Sequence, residues 1–171
     1  MKVFTLTILI LISSITHSVE IENFKSGLMC GSDKDYLGWV CFEQKEILIS
    51  GQSNCVSAGE LFKCTWYGFS FDYNNAKKNQ EISCSYSQSN PVSAIDINKR
   101  ENNPKLTGTF KINLPEEEGS FVNPQYSALA LSENNDPLKI TTDVVCHSDD
   151  KKLFEYQFIT IYPAKTSINS Y

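Results

Sequence analysis

The stretch Cys64-Thr-Trp-Tyr-Gly-Phe-Ser-Phe-Asp-Tyr73 decides the fold class of this chain. Aromatic rings occupy alternate positions from Tyr67 to Tyr73, and small or polar residues stand between them. Alternation with a period of two is typical of an antiparallel strand that turns one face to the core. The stretch therefore predicts a β-strand with a buried aromatic face.

The same alternation recurs through the rest of the chain, with turn-forming Asn, Asp, Gly and Pro between the segments. It is clearest at Glu81 to Ser87, Thr107 to Leu114, Leu138 to Cys146 and Leu153 to Tyr162. No segment carries a convincing apolar stripe with a helical period. We predict an all-β fold, a disulfide-stabilised antiparallel β-sandwich, with immunoglobulin-like architecture as one form of it and a barrel as the second choice.

The first residues have the pattern of an export signal. Lys2 is followed by an apolar run from Val3 to Ile12 and by small or polar residues up to Ser18. That run is too short to cross a bilayer as a helix, and we predict no membrane span. The expected organisation is a signal peptide over 1–18 and one sandwich domain over 19–171, secreted or periplasmic.

All cysteines follow the predicted signal: Cys30, Cys41, Cys55, Cys64, Cys84 and Cys146. An even number behind an export signal predicts three disulfides. Short loops favour Cys30–Cys41 and Cys55–Cys64, although other pairings within 30–64 stay open. Because Cys84 and Cys146 both fall on apolar strand faces, we expect them to pair and to cross-link the two sheets, as in immunoglobulin domains.

The charge of the chain narrows the range of partners. The formal net charge is −5, and the basic residues form no cluster large enough for nucleic acid or an anionic membrane. There is no Cys-x-x-Cys pair, and one His follows the signal, so we predict no metal site and no cofactor.

One short motif suggests catalysis. Gly51-Gln-Ser-Asn54 follows the apolar stretch Glu46 to Ser50 and resembles the nucleophile block of sialate-O-acetylesterase-type SGNH hydrolases. The resemblance implies a secreted serine esterase in which Ser53 attacks an acetyl ester and His147 supplies the base. It also implies a parallel α/β fold, which the strand pattern of this chain does not predict. We therefore assign no catalytic residue and keep Ser53 with His147 as an alternative hypothesis.

The main functional prediction is binding without catalysis, with a protein or a carbohydrate as the partner. Trp66 is the candidate contact residue, because it lies on the face opposite the aromatic stripe and can stack on a sugar or anchor a protein. The competing interpretation is that Trp66 covers the backbone at Gly68. A further alternative is a secreted inhibitor or effector that presents the cysteine-rich segment 30–64.

Overall fold

The computed structural model describes residues 18–31, 38–57, 59–92, 105–132 and 135–164. Strands make up 76% of the described residues, and no helix occurs among them. Ten strands follow one another: β1 Glu20–Cys30, β2 Trp39–Glu43, β3 Glu46–Leu48, β4 Ser53–Ser57, β5 Glu60–Asn74, β6 Gln80–Val92, β7 Lys105–Leu114, β8 Gly119–Ala128, β9 Leu138–Ser148 and β10 Lys151–Tyr162. The predicted all-β class is confirmed.

One prediction from the sequence falls outside the described residues. The predicted signal peptide at 1–18 has only Ser18 within them. The division of the chain into a signal and one domain therefore stays a prediction. The connection between β6 and β7, 93–104, also lies outside the described ranges.

The strands form two sheets. The first, called sheet A, contains β1, β2, β4, β5 and β8, and β5 is its central strand. Tyr67 pairs with Leu28 of β1 and with Gln125 of β8, so β1 and β8 flank β5 on opposite sides. At Cys64 of β5, Ser53 of β4 pairs on one side and Ala128 of β8 pairs on the other. β4 therefore lies on the same side of β5 as β1, beyond the point where β1 ends, and β2 borders β1.

Sheet B has the order β3-β10-β9-β6-β7. Its hairpin between β9 and β10 turns through Asp149 and Asp150, both with positive φ angles of 47° and 63°. Two consecutive residues of this kind form the turn that suits the twist of a two-residue hairpin, and Asp tolerates that conformation. The only parallel pairing recorded among the described strands is between β3 and β10.

The two sheets pack through aromatic side chains, as the alternation predicted. Phe69 is fully buried, and its ring lies 5.9 Å from that of Phe24 and 4.9 Å from that of Tyr156 in sheet B. Phe71 contacts Phe154 of sheet B at 5.2 Å between ring centroids. Since two separate sheets share this core, the fold is a sandwich and the second-choice barrel is excluded.

The three disulfides pair the cysteines as expected, but one of them has a different position. Cys30–Cys41 and Cys55–Cys64 each join neighbouring strands of sheet A. Cys84 and Cys146 also pair, but they are direct partners on β6 and β9 within sheet B. The expectation that this bond cross-links the two sheets is wrong. Both side chains point into the core, yet both start from the same sheet.

The strand register defines two ends of the sandwich. Asn74, the last residue of β5, pairs with Glu20, and the hairpins that join β5 to β6 and β7 to β8 meet there. Their backbones are joined by a bond of 3.0 Å from the Ala76 amide to the Glu117 carbonyl. Glu60, the first residue of β5, lies at the opposite end. These are called the Asn74 end and the Glu60 end below.

The disulfide within sheet B gives the first testable prediction. Replacing both Cys84 and Cys146 with Ala removes the disulfide that closes a loop with a sequence separation of 62. We expect the free energy of unfolding to fall by about 4 kcal/mol, because the crosslink restricts a long stretch of the unfolded chain. Replacing Cys55 and Cys64 is the matched control, with an expected loss of about 2.5 kcal/mol. Urea unfolding measures both, and a larger loss in the control would contradict the prediction.

The core also predicts how stability depends on alkaline pH. Burial raises the pKa of Tyr67 to about 12, and burial also raises the pKa of Tyr156 above its usual value. The folded state therefore holds these protons more tightly than the unfolded chain, whose tyrosines ionise near 10. The contribution of these two tyrosines to the free energy of unfolding is complete below pH ~10, and it falls as the pH rises towards about 12. We expect the ultraviolet absorbance of these phenolates to rise together with loss of the circular dichroism signal; ionisation of every tyrosine in a still-folded protein would contradict this.

Candidate functional site

The two residues of the esterase hypothesis are not brought together. Ser53 begins β4 in sheet A, and His147 lies near the end of β9 in sheet B. Cys146 faces the core, so its neighbour His147 faces away from sheet A. The pairing partners of Ser53 and His147 place them about 25 Å apart along the strand direction. A nucleophile and its base need hydrogen-bond contact, so this pair forms no catalytic site in this structure.

The residues around the Gly51-Gln-Ser-Asn motif make a corner between the two sheets. Thr65 is fully buried, and its hydroxyl oxygen accepts hydrogen bonds from the Ser50 amide at 3.0 Å and the Gly51 amide at 3.1 Å. The same hydroxyl donates to the Gln52 side-chain oxygen at 3.1 Å. Gly51 has a φ of 67°, which favours glycine. Thr65 thus holds the chain where it passes from β3 in sheet B to β4 in sheet A.

Trp66 lies on the outer face of sheet A and is half-buried. Its ring lies 5.3 Å from that of Tyr126, its partner on β8. Phe62 contacts the same Tyr126 ring at 5.9 Å. The space above Gly68 is filled by the Met29 sulfur, which would lie 2.9 Å from a Cβ at that position. Trp66 therefore has a packing role against Tyr126, and its role in binding stays a prediction.

The large exposed apolar side chains of the described residues gather towards one end of the molecule. By strand register, they lie between the middle of the sandwich, where Phe42 is level with Tyr67, and the Glu60 end. They are Trp39, Phe42, Leu48, Val56, Leu61, Leu106, Leu129, Leu131 and Leu138. We call this region the apolar end.

The most exposed part of the apolar end is the hairpin of β4 and β5. Val56 and Leu61 are direct partners on this hairpin, with exposed fractions of 61% and 70%. The disulfide Cys55–Cys64 ties the two strands together immediately behind them. Sequence reasoning missed this pair. The available signal was the presence of two aliphatic residues beside a turn inside a short disulfide loop.

The opposite end of the sandwich is charged. Three turns meet there, and they carry both signs of charge: Lys77, Lys78, Glu116, Glu117, Glu118, Asp149, Asp150, Lys151 and Lys152. His147 borders an open groove between the first and third of these turns. Among the described residues, no group of three His, Cys, Asp or Glu side chains is placed to hold a metal ion. The groove offers mixed charge without a set of metal ligands.

The described residues contain no helix long and apolar enough to cross a membrane.

Three comparisons with known proteins were made. No protein-family model matches the chain, and no curated protein matches it. Among solved structures, the chain is similar to an immunoglobulin-like protein from Pseudomonas aeruginosa, with a TM-score of 0.44 and 10% sequence identity. That similarity covers 84% of this chain and 96% of the other.

The corner at Thr65 gives a prediction about stability. Replacing Thr65 with Val keeps the shape but removes the acceptor for two backbone amides, so we expect a loss of about 2 kcal/mol in the free energy of unfolding. Thr65→Ser keeps the hydroxyl and is expected to lose about 1 kcal/mol or less, from the missing methyl group. Denaturant unfolding of the two variants side by side measures the difference. Equal losses would show that the hydroxyl does not hold the corner.

Proposed function

We propose that this protein is an exported binding protein that recognises a protein partner through its apolar end. The observation that carries the proposal is the exposed pair Val56 and Leu61 on a disulfide-tied hairpin. Burying an aliphatic side chain of this size stabilises a complex by about 1.5–3 kcal/mol. A partner that covers Val56 and Leu61 therefore binds more tightly.

The rigidity of the hairpin supports the same proposal. Cys55–Cys64 and the paired backbone of β4 and β5 fix the positions of Val56 and Leu61 before binding. A surface that is already ordered loses little conformational entropy when a partner binds. Cys30–Cys41 lies at the same end of sheet A and ties β1 to β2, which carries the exposed Phe42.

The chemistry of the apolar end favours a protein over a glycan. Most of its exposed side chains are aliphatic, and these offer no hydrogen bonds to sugar hydroxyls. The net charge of −5 also gives no attraction to an anionic lipid surface. Export of the protein rests on the signal pattern at 1–18, and three disulfides are compatible with an oxidising compartment.

An inhibitor or effector is the second candidate function, because the exposed hairpin begins within the cysteine-rich segment 30–64. This segment is not a separate unit. β2 and β4 belong to sheet A, whereas β3 pairs with β10 in sheet B. Either function must therefore be tested on the whole domain, since an isolated 30–64 peptide lacks the strands that order it.

The test compares variants at the two ends of the domain. The domain 19–171 is immobilised, proteins from its native compartment are captured, and the captured protein is purified for titration. We expect Val56→Ser with Leu61→Ser to raise the Kd more than tenfold, since two apolar contacts are lost. The matched control is Lys77→Ser with Lys78→Ser at the charged end, which should leave the Kd unchanged. Unfolding temperatures confirm that each variant is folded.

Two outcomes would overturn the proposal. An unchanged Kd in the Val56 and Leu61 variant would show that the partner does not use the apolar end. Binding of the wild-type domain to phosphatidylcholine vesicles, lost in the same variant, would show that the apolar end serves a membrane.

A further inference from the structure

The strands that border the two sheets differ in how their free edges are blocked. In sheet B, β3 has three residues and β7 has ten; in sheet A, β2 has five and β8 has ten. Among the described residues, β7 pairs only with β6, and β8 pairs only with β5. A long unpaired edge can bind another strand unless something blocks it. The two long edges are therefore the ones to compare.

The edge of β8 is blocked by a proline. The Leu129 amide donates to the Lys63 carbonyl at 2.8 Å, which places the backbone groups of odd-numbered residues towards β5. Even-numbered residues of β8 therefore direct their backbone groups to the free edge. Pro124 is one of them, and it has no N–H to donate. The middle of the β8 edge consequently lacks a donor.

The edge of β7 has no such block. The Thr141 amide donates to the Ser89 hydroxyl, so odd-numbered residues of β9 direct their backbone groups towards β6. Cys84 and Cys146 are then a pair without mutual backbone bonds, which agrees with their short Cα distance of 4.1 Å. The backbone groups of Cys84 point to its β7 partner, Phe110.

It follows that odd-numbered residues of β7 direct their N–H and C=O groups outward. The outward residues are Thr107, Thr109, Lys111 and Asn113, and none is a proline. Their pairing with β6 is regular from Thr107 onward. Lysine often protects an edge by its charge, but the Lys111 ammonium forms an ion pair with Glu81 at 2.6 Å. Beside this edge, Leu106 is 50% exposed.

We propose that β7 is a self-association site, at which β7 of a second copy pairs antiparallel with it about a two-fold axis at Thr109. In this register Thr109 faces Thr109 of the second copy, and Lys111 faces its Thr107. In the same register Leu106 pairs with Ile112 of the second copy, whose own side chain is buried in the core. No two like charges face each other among these pairs, so the edge is complementary to itself.

The two copies form one continuous sheet across the axis. Val56 and Leu61 take no part in this contact, because they belong to sheet A. Self-association at β7 and partner binding at the apolar end are therefore separable by mutation.

The experiment measures the mass of the purified domain 19–171 by sedimentation velocity up to about 0.1 mM, a range that detects weak dimers. We expect a dimer that forms with increasing concentration. Thr109→Pro removes one outward donor and leaves the bonds to β6 in place, so it should raise the dimer Kd at least tenfold. Thr109→Val keeps the donor and is the matched control, with an unchanged Kd. Thr109→Lys, which places two like charges at the axis, is used if the proline variant does not fold.

Amide exchange provides a second measurement. The outward amides of Thr107, Thr109 and Lys111 should exchange fast at low concentration and slowly in the dimer. A wild-type domain that stays monomeric at the highest concentration would overturn the proposal. So would outward amides that are protected in the monomer, or a dimer that survives Thr109→Pro and Thr109→Lys. A dimer lost only in the Val56 and Leu61 variant would place the contact at the apolar end and also overturn the proposal.

Discussion

The relative position of the two sheets depends on the packing of Phe69. Its ring contacts Phe24 and Phe121 within sheet A, and Phe154 and Tyr156 across the core in sheet B. All three disulfides lie within one sheet or the other, so no disulfide holds the two sheets together. Apolar and aromatic burial therefore has to fix their relative position. The surface features described above keep their places only while this contact holds.

The chain also crosses between the sheets, and these crossings shape the apolar end. β2, β3 and β4 belong to sheets A, B and A in turn. Ile47 and Ile49 are buried at the crossing, and Thr65 holds its second corner through the backbone of Ser50 and Gly51. Beyond this corner the β4–β5 hairpin continues, and its Val56 and Leu61 side chains are exposed. The buried corner is thus what directs the hairpin away from the core.

The strands were predictable because alternation with a period of two depends only on neighbouring residues. The same alternation shows that Cys84 and Cys146 face the core, but not from which sheet, because both sheets face one core. The exposure of Val56 and Leu61 was hidden for a related reason: two aliphatic residues in a strand predict burial unless the hairpin extends past its neighbours. The motif at Gly51 was misleading because its role is set by Thr65, which is distant in sequence.

The positions of the disulfides set the order in which the protein can acquire them during oxidative folding. Cys30–Cys41 and Cys55–Cys64 have sequence separations of 11 and 9, so short segments of chain bring these thiols together. Cys84 and Cys146 meet only when β6 and β9 pair, across a separation of 62. The third bond therefore reports assembly of sheet B. In an oxidising environment, oxidation of this last pair of thiols therefore distinguishes a chain with an assembled sheet B from one whose strands have not yet paired.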